Sequence, residues 1–190
     1  MLERPNLESR VVGLGYVGPP SQLLSIRSGN AGVTDTLKLM AKVAKQYKVD
    51  PLIRQTAARA VARVPEKDDL AEAAALQNWV RGNIRYTGDV LDVETLQTPD
   101  YTLQERYGDC DDQATLLATM LLAIGIPAAY MAVGVDGEPF SHVLTFACLR
   151  GYDPSYVSLE TTLTTDPTTG ETVGPGWFPA NATSVRFFHI

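Results

Sequence analysis

Apolar positions along the chain repeat first with a helical period and later with a strand period. Leu37, Met40, Ala41 and Ala44 share one face of a helix expected over about Thr34 to Tyr47, with Thr34 or Asp35 as its cap. Asp50 caps a second helix and Pro51 takes its first position; Ile53, Ala57, Ala60 and Val61 point inward, and it ends near Pro65. A third spans about Asp69 to Tyr86 on Ala73, Leu76, Val80 and Ile84, with Trp79 beside that stripe. Leu116, Leu117, Met120, Leu121 and Ile124 mark a fourth helical face, stopped by Gly125. Alternation then takes over. Strands are expected at Ala128–Val135, Ser141–Cys148, Tyr156–Thr161 and about 184–188, with Asp136-Gly137 closing the first hairpin and Arg150-Gly151-Tyr152-Asp153-Pro154 forming a turn. Helices first and an antiparallel meander second is the order of an α+β domain.

Two segments lack a period. Residues 1–33 are rich in Gly, Pro, Ser and Asn and read as an extended N-terminal arm, leaving residues 34–190 as the domain. Gly13-Leu14-Gly15-Tyr16-Val17-Gly18 fits the G-x-G-x-x-G dinucleotide pattern, but Pro19-Pro20 stand where a phosphate-binding helix would continue, so a turn-rich arm is the better reading. Residues 87–106 form a long irregular stretch, apart from a short turn after Pro99. A loop of that length inside a compact domain points to a functional loop bordering a site.

With 190 residues the chain suits one domain with a sizeable core. The net charge of −6, without any basic run, argues against nucleic acid as a partner. The most apolar stretch, Leu116 to Val133, is broken by Gly125 and Pro127, so no membrane span is expected. Arg4 and Arg10 lack a following apolar run, so no secretion signal is expected and synthesis in the cytoplasm is. The 2 cysteines, Cys110 and Cys148, are too few for a disulfide framework and lack zinc-site spacing; no metal and no cofactor is expected.

The candidate chemistry centres on Cys110. Gly108 precedes it by two residues and the apolar helix follows at once, which puts Cys110 in or beside a first helical turn. Unpaired N–H groups there favour a thiolate. Asp109, Asp111 and Asp112 crowd the thiol with like charge and oppose it, unless they serve as caps. His142 starts a strand. If Gly151 centres the next hairpin, Glu160 stands opposite His142, with Cβ atoms roughly 5 Å apart; a longer turn makes the contact diagonal. Asp153 is the rival carboxylate, at the far end of that hairpin. A Cys, a His as base and a carboxylate to orient it form the set that nucleophilic catalysis requires. Cys148 lies six residues from His142, roughly 20 Å along a strand, so it pairs with neither and reads as a core residue.

These residues resemble the transglutaminase-like superfamily of papain-type cysteine enzymes. Gly108-Asp109-Cys110 with its helix is similar to the nucleophile motif, and Ala123 to Ala128 to the link that follows. Ser141-His142-Val143 resembles the histidine strand and Leu159-Glu160-Thr161-Thr162 the acidic strand. Trp79-Val80 and Ile84-Arg85-Tyr86 are similar to the helix upstream. The likeness covers about residues 68 to 165 and implies a papain/transglutaminase-like fold. The chain departs from the pattern in carrying Glu160 for the usual Asp and Leu144 for a frequent aromatic. A narrower likeness, on Leu96-Gln97-Thr98-Pro99, Gly108 to Asp112 and Gly176-Trp177, is to small transglutaminase-like proteins of tailed phages and prophages.

The resemblance implies thiol-dependent acyl transfer: Cys110 as nucleophile, His142 as base and then acid, Glu160 as its orienter. Gln104 and Trp79 are the candidates for an oxyanion donor beside the Cys110 N–H. The expected substrate is a peptide or protein amide, with a bacterial cell-wall peptide as first choice. The competing expectation is a virion structural or assembly protein that keeps the fold without the chemistry, its arm contacting other phage structural proteins.

Overall fold

The computed structural model describes residues 9–15, 23–27, 29–88, 95–151 and 155–190. From residue 29 three helices follow one another: α1 (Gly29–Tyr47), α2 (Pro51–Val61) and α3 (Asp69–Asn83). The α2 cap is the expected one: Asp50 accepts from the N–H groups of Leu52 and Ile53, and Pro51 opens the helix. Helix α1 begins at Gly29, five residues before the expected Thr34. Helix α2 stops at Val61 instead of near Pro65.

Helix α3 ends at Asn83, short of Tyr86. The Asn83 side chain turns back to the Trp79 carbonyl, and Ile84, β-branched, takes extended backbone. Arg85–Tyr86 then becomes the short strand β3, parallel to β5 (Tyr107–Gly108). Between them lie β4 (Thr95–Gln97) and α4 (Pro99–Glu105), so the stretch read as irregular holds two elements.

The central helix α5 (Cys110–Ala123) touches α1, α2, α3 and α4 on its helical side and the strands β6 (Ala128–Val135) and β7 (His142–Cys148) on the other. Leu116, Leu117, Met120 and Leu121 are wholly buried there. The larger sheet adds β8 (Tyr156–Leu159) and β9 (Ala182–His189), in the order β8-β7-β6-β9. All three of its pairings are antiparallel, as the alternation predicts. Val143 and Ala147 pack with α5 in the main core, while Leu144 and Phe146 join a second cluster with Val133, Trp177 and Phe187 on the far face.

Within residues 1–33, the segments β1 (Ser9–Gly15) and β2 (Leu23–Arg27) pair antiparallel. Strand β1 also runs parallel to β4, with Gly15 beside Gln97. Gly13 to Gly15 of the discounted dinucleotide pattern therefore lie in a strand; the rest of that pattern, Tyr16 to Gly18, lies outside the described residues.

Candidate active site

The helix that presents Cys110 is held by reciprocal caps. Asp109 accepts from the Asp112 N–H at 3.0 Å, and Asp112 accepts from the Asp109 N–H at 3.2 Å. Asp112 also accepts from the Gln97 N–H at 2.6 Å, which ties β4 to the start of α5. Strand β4 thus borders the candidate site. Gly108 makes this closeness possible, because a Cβ there would lie 2.6 Å from the Asp112 Cβ. Two of the three aspartates near the thiol are therefore structural caps. Burial first, and the charge of Asp109 second, push the Asp112 pKa well up, against the pull of the two N–H donors.

Cys110 occupies the first helical position and is partly buried. Its thiol donates to the Asp111 carboxylate at 3.5 Å and lies beside the Val143 N–H. The sheet explains that donor. Along β7 the Leu149 N–H at its exit bonds toward the β8 side and the Cys148 N–H toward β6. By alternation the Val143 N–H points to the β8 side, but β8 ends at Leu159, opposite Thr145. The ladder stops one step before Val143, whose N–H faces the thiol. Burial most of all, then Asp111 and Asp109, hold the Cys110 thiol well above its ordinary pKa, and the Val143 N–H lowers it. Burial and the two aspartates thus favour the protonated thiol.

His142 Nε2 lies 2.6 Å from Glu160 Oε2. Leu159 pairs with Thr145, two residues off the register of a turn centred on Gly151, so Glu160 meets His142 diagonally, as the longer turn predicts. Asp153 lies outside the described residues. Glu160 is 1% exposed, and its other oxygen accepts from the Thr162 N–H, the Thr162 hydroxyl at 2.7 Å and the Leu163 N–H at 3.1 Å. Burial pulls its pKa up, but the His142 bond and charge and the Thr162 donors outweigh it, so the carboxyl titrates below its usual value. Glu160 Oε2 holds Nε2, which leaves Nδ1 as the nitrogen available to a thiol.

The sequence offered no sign of Gln77 and Arg81. Both reach from α3 to the Glu160 main-chain carbonyl, at 2.8 and 2.5 Å, and Arg81 also holds the Val173 carbonyl. A helical polar pair at spacing four reads as a solvated face until the partner across 79 residues is known. Trp79 is half-buried under the Arg106 guanidinium, 5.1 Å from its ring, and Gln104 is exposed on α4. The Cys110 thiol thus lies beside Val143, the residue after His142, and His142 is bonded to Glu160, whereas Trp79 stands on α3 and Gln104 on α4. Cys148 corrects the core assignment: it is partly buried at the end of β7, across from Tyr156, and both cysteines are free.

A cleft of about 290 Å³ opens beside His142, walled by Leu163, Asp166, Trp177 and Pro179. Among the described residues, no helix is long and apolar enough to cross a membrane, and no cluster of His, Cys, Asp and Glu is set to hold a metal ion.

Mixed helices, an antiparallel sheet and a cysteine at the start of the central helix define a papain-like α+β domain. The chain matches the Transglutaminase-like superfamily over residues 54–166, more than half its length, and belongs to that superfamily. Among solved structures it is similar to a protease candidate from Parabacteroides distasonis, at 14% identity and a TM-score of 0.55, over 87% of this chain and 40% of that one. It is also similar to a cysteine protease candidate from Cytophaga hutchinsonii, at 20% identity and a TM-score of 0.47, over 72% of this chain and 45% of that one. The chain spans less than half of either structure. No curated protein matches it at a significant level.

Proposed function

We propose that the chain catalyses thiol-dependent acyl transfer, and that its reaction is hydrolysis of an amide or peptide bond. The observation that supports this reading is the position of the Cys110 thiol beside the Val143 N–H on β7, with the neighbouring His142 bonded to a buried Glu160 whose pKa is lowered. A neutral thiol needs a base at the moment of attack. His142 takes the Cys110 proton as sulfur adds to the carbonyl carbon, and Glu160 stabilises the imidazolium. The C–N bond then breaks, His142 returns the proton to the leaving amine, and water resolves the thioester. The Cys110 N–H, in the first helical turn, lacks an intrahelical acceptor and is one oxyanion donor. The second comes from Trp79 or Gln104, and Trp79→Phe and Gln104→Ala separate the two by which of them lowers kcat. A cell-wall peptide is the first substrate class to try.

Cys110→Ala is expected to fold normally and abolish hydrolysis, whereas Cys148→Ala loses only packing. Equal loss of activity in both folded variants overturns the assignment of the nucleophile.

One observation favours a second reading, a phage structural or assembly protein with an idle site. Burial, then Asp111 and Asp109, favour the protonated thiol. The phage setting rests on three short motifs, and two of them gain a role from their position: Gln97 is tied to Asp112, and Trp177 walls the cleft beside His142.

A further inference from the structure

Charge is unevenly placed along the chain. Of its 16 basic and 22 acidic residues, the stretch from Lys38 to Lys67 holds eight basic and two acidic, which leaves eight and twenty for the rest. That stretch, from within α1 to just past α2, thus carries +6 in a chain whose net charge is −6, and the remainder carries −12. Its eight cations are exposed, and among the described residues none of them makes an ion pair or a side-chain hydrogen bond. One of its two acids, Asp50, is taken up in capping α2.

Periodicity gathers the α1 cations. Lys38, Lys42 and Lys45 recur at spacings of four and three, so they form one outward stripe, which runs on towards Val49 in the turn before α2. Lys48 lies before Val49 in the chain, and Arg54 follows in the first turns of α2. Val49 is 66% exposed and Leu52 40%, so two large apolar side chains stand out of the same turn. Beside them a groove of about 400 Å³ runs between Val49, Arg54 and the end of α5 at Ala123. Cys110 opens α5 at its other end, roughly 20 Å away along the helix. The turn therefore lies at the end of α5 opposite the thiol.

The chemistry of the turn selects its partner. Unpaired cations ask for an anionic surface. Lys45 and Lys48 are point charges on long stems, which fit a diffuse layer of headgroups, whereas a fixed carboxylate or phosphate is better met by Arg forks. The exposed apolar side chains are aliphatic and stand among the cations, as in segments that lie at a bilayer interface. A single strand of nucleic acid would be met by stacking rings, and no exposed aromatic side chain stands at this turn. At physiological salt the field of the remaining acids falls off within about 8 Å, so an approach by this end escapes their repulsion. We propose that the α1–α2 turn docks on an anionic phospholipid bilayer, with Val49 and Leu52 entering the headgroup layer and Lys45, Lys48 and Arg54 facing lipid phosphates. This orientation leaves the Cys110 end of α5 pointing away from the bilayer, and it does not depend on the acyl-transfer reading.

Cosedimentation of the full chain with unilamellar vesicles tests this, phosphatidylcholine alone against phosphatidylcholine with an equal part of phosphatidylglycerol, at about 0.1 M salt. The chain is expected to pellet with the anionic vesicles and to stay in solution with the neutral ones. Each cation at such a surface contributes a factor of about five, so Lys45→Gln combined with Lys48→Gln should weaken binding by about tenfold or more. Val49→Ser combined with Leu52→Ser should weaken it by about tenfold as apolar insertion is lost. All four side chains are exposed, and an unchanged Tm in both double variants shows that the fold is kept. Equal binding to the two kinds of vesicle, binding to neither, or anionic binding that the lysine pair does not alter overturns the proposal. Polyglutamate that binds the chain where anionic vesicles do not would overturn it too, and would assign the turn to an acidic protein segment.

Discussion

At Glu160 four donors converge on one buried carboxylate: His142, the Thr162 N–H and hydroxyl, and the Leu163 N–H. The cradle explains how a glutamate can serve where the family pattern carries an aspartate. One oxygen is fixed by the turn that follows β8, and the longer side chain spans the diagonal to His142. Because the folded pKa is lowered, the stabilisation is full above the ordinary glutamate value and is lost as pH falls through the folded one. Glu160→Gln is expected to cost on the order of 2 kcal/mol at neutral pH, to flatten the acid limb of a stability-against-pH curve, and to lower kcat by about 10²-fold. Chemical denaturation from pH 3 to 8 reads the first two, and an unchanged acid limb would show that another group carries it. The pairing of His142 with Glu160 was legible in the sequence because strand alternation is strict. The register was not, since it depends on a turn length that no residue of the chain states.

Among the elements, the start of α5 depends on one glycine. A Cβ at residue 108 would collide with the Asp112 side chain, which caps α5 and holds β4. Gly108→Ala is expected to destabilise the fold by about 1–3 kcal/mol, a cost of overpacking, and to lower Tm measurably. An unchanged Tm would mean that the reciprocal caps contribute nothing. The sequence named Gly108 for its place before the cysteine; its tight approach to Asp112 needs the fold to be seen. Helix α3 shows the opposite limit. Its apolar stripe runs on through Ile84, yet the helix stops at Asn83, because the Asn83 side chain bonds the Trp79 carbonyl and Arg85 pairs with Tyr107. Periodicity alone cannot see a strand partner more than twenty residues away.

For the whole molecule, the order of helices before sheet was readable from the change of period, and with it the burial of α5 between them. The standing of residues 1–33 was not. Strands β1 and β2 extend β4, whose Gln97 is bonded to the cap of the cysteine helix, so we propose that the arm stiffens the site from a distance. Deleting residues 1–28 is expected to lower Tm by about 5 °C, the scale of a few ladder hydrogen bonds in a domain of this size. An unchanged Tm with lost assembly would assign the arm to a partner instead. The central claim is that Cys110 acts as a nucleophile through His142. Acetyl transfer from p-nitrophenyl acetate at neutral pH, followed by intact-mass and peptide mass spectrometry, tests it without a known substrate. The account predicts one acetyl group per chain, located on Cys110, formed about 10²-fold more slowly in folded His142→Ala. Labelling of Cys110 at the same rate in that variant, or labelling of Cys148 in its place, would contradict it.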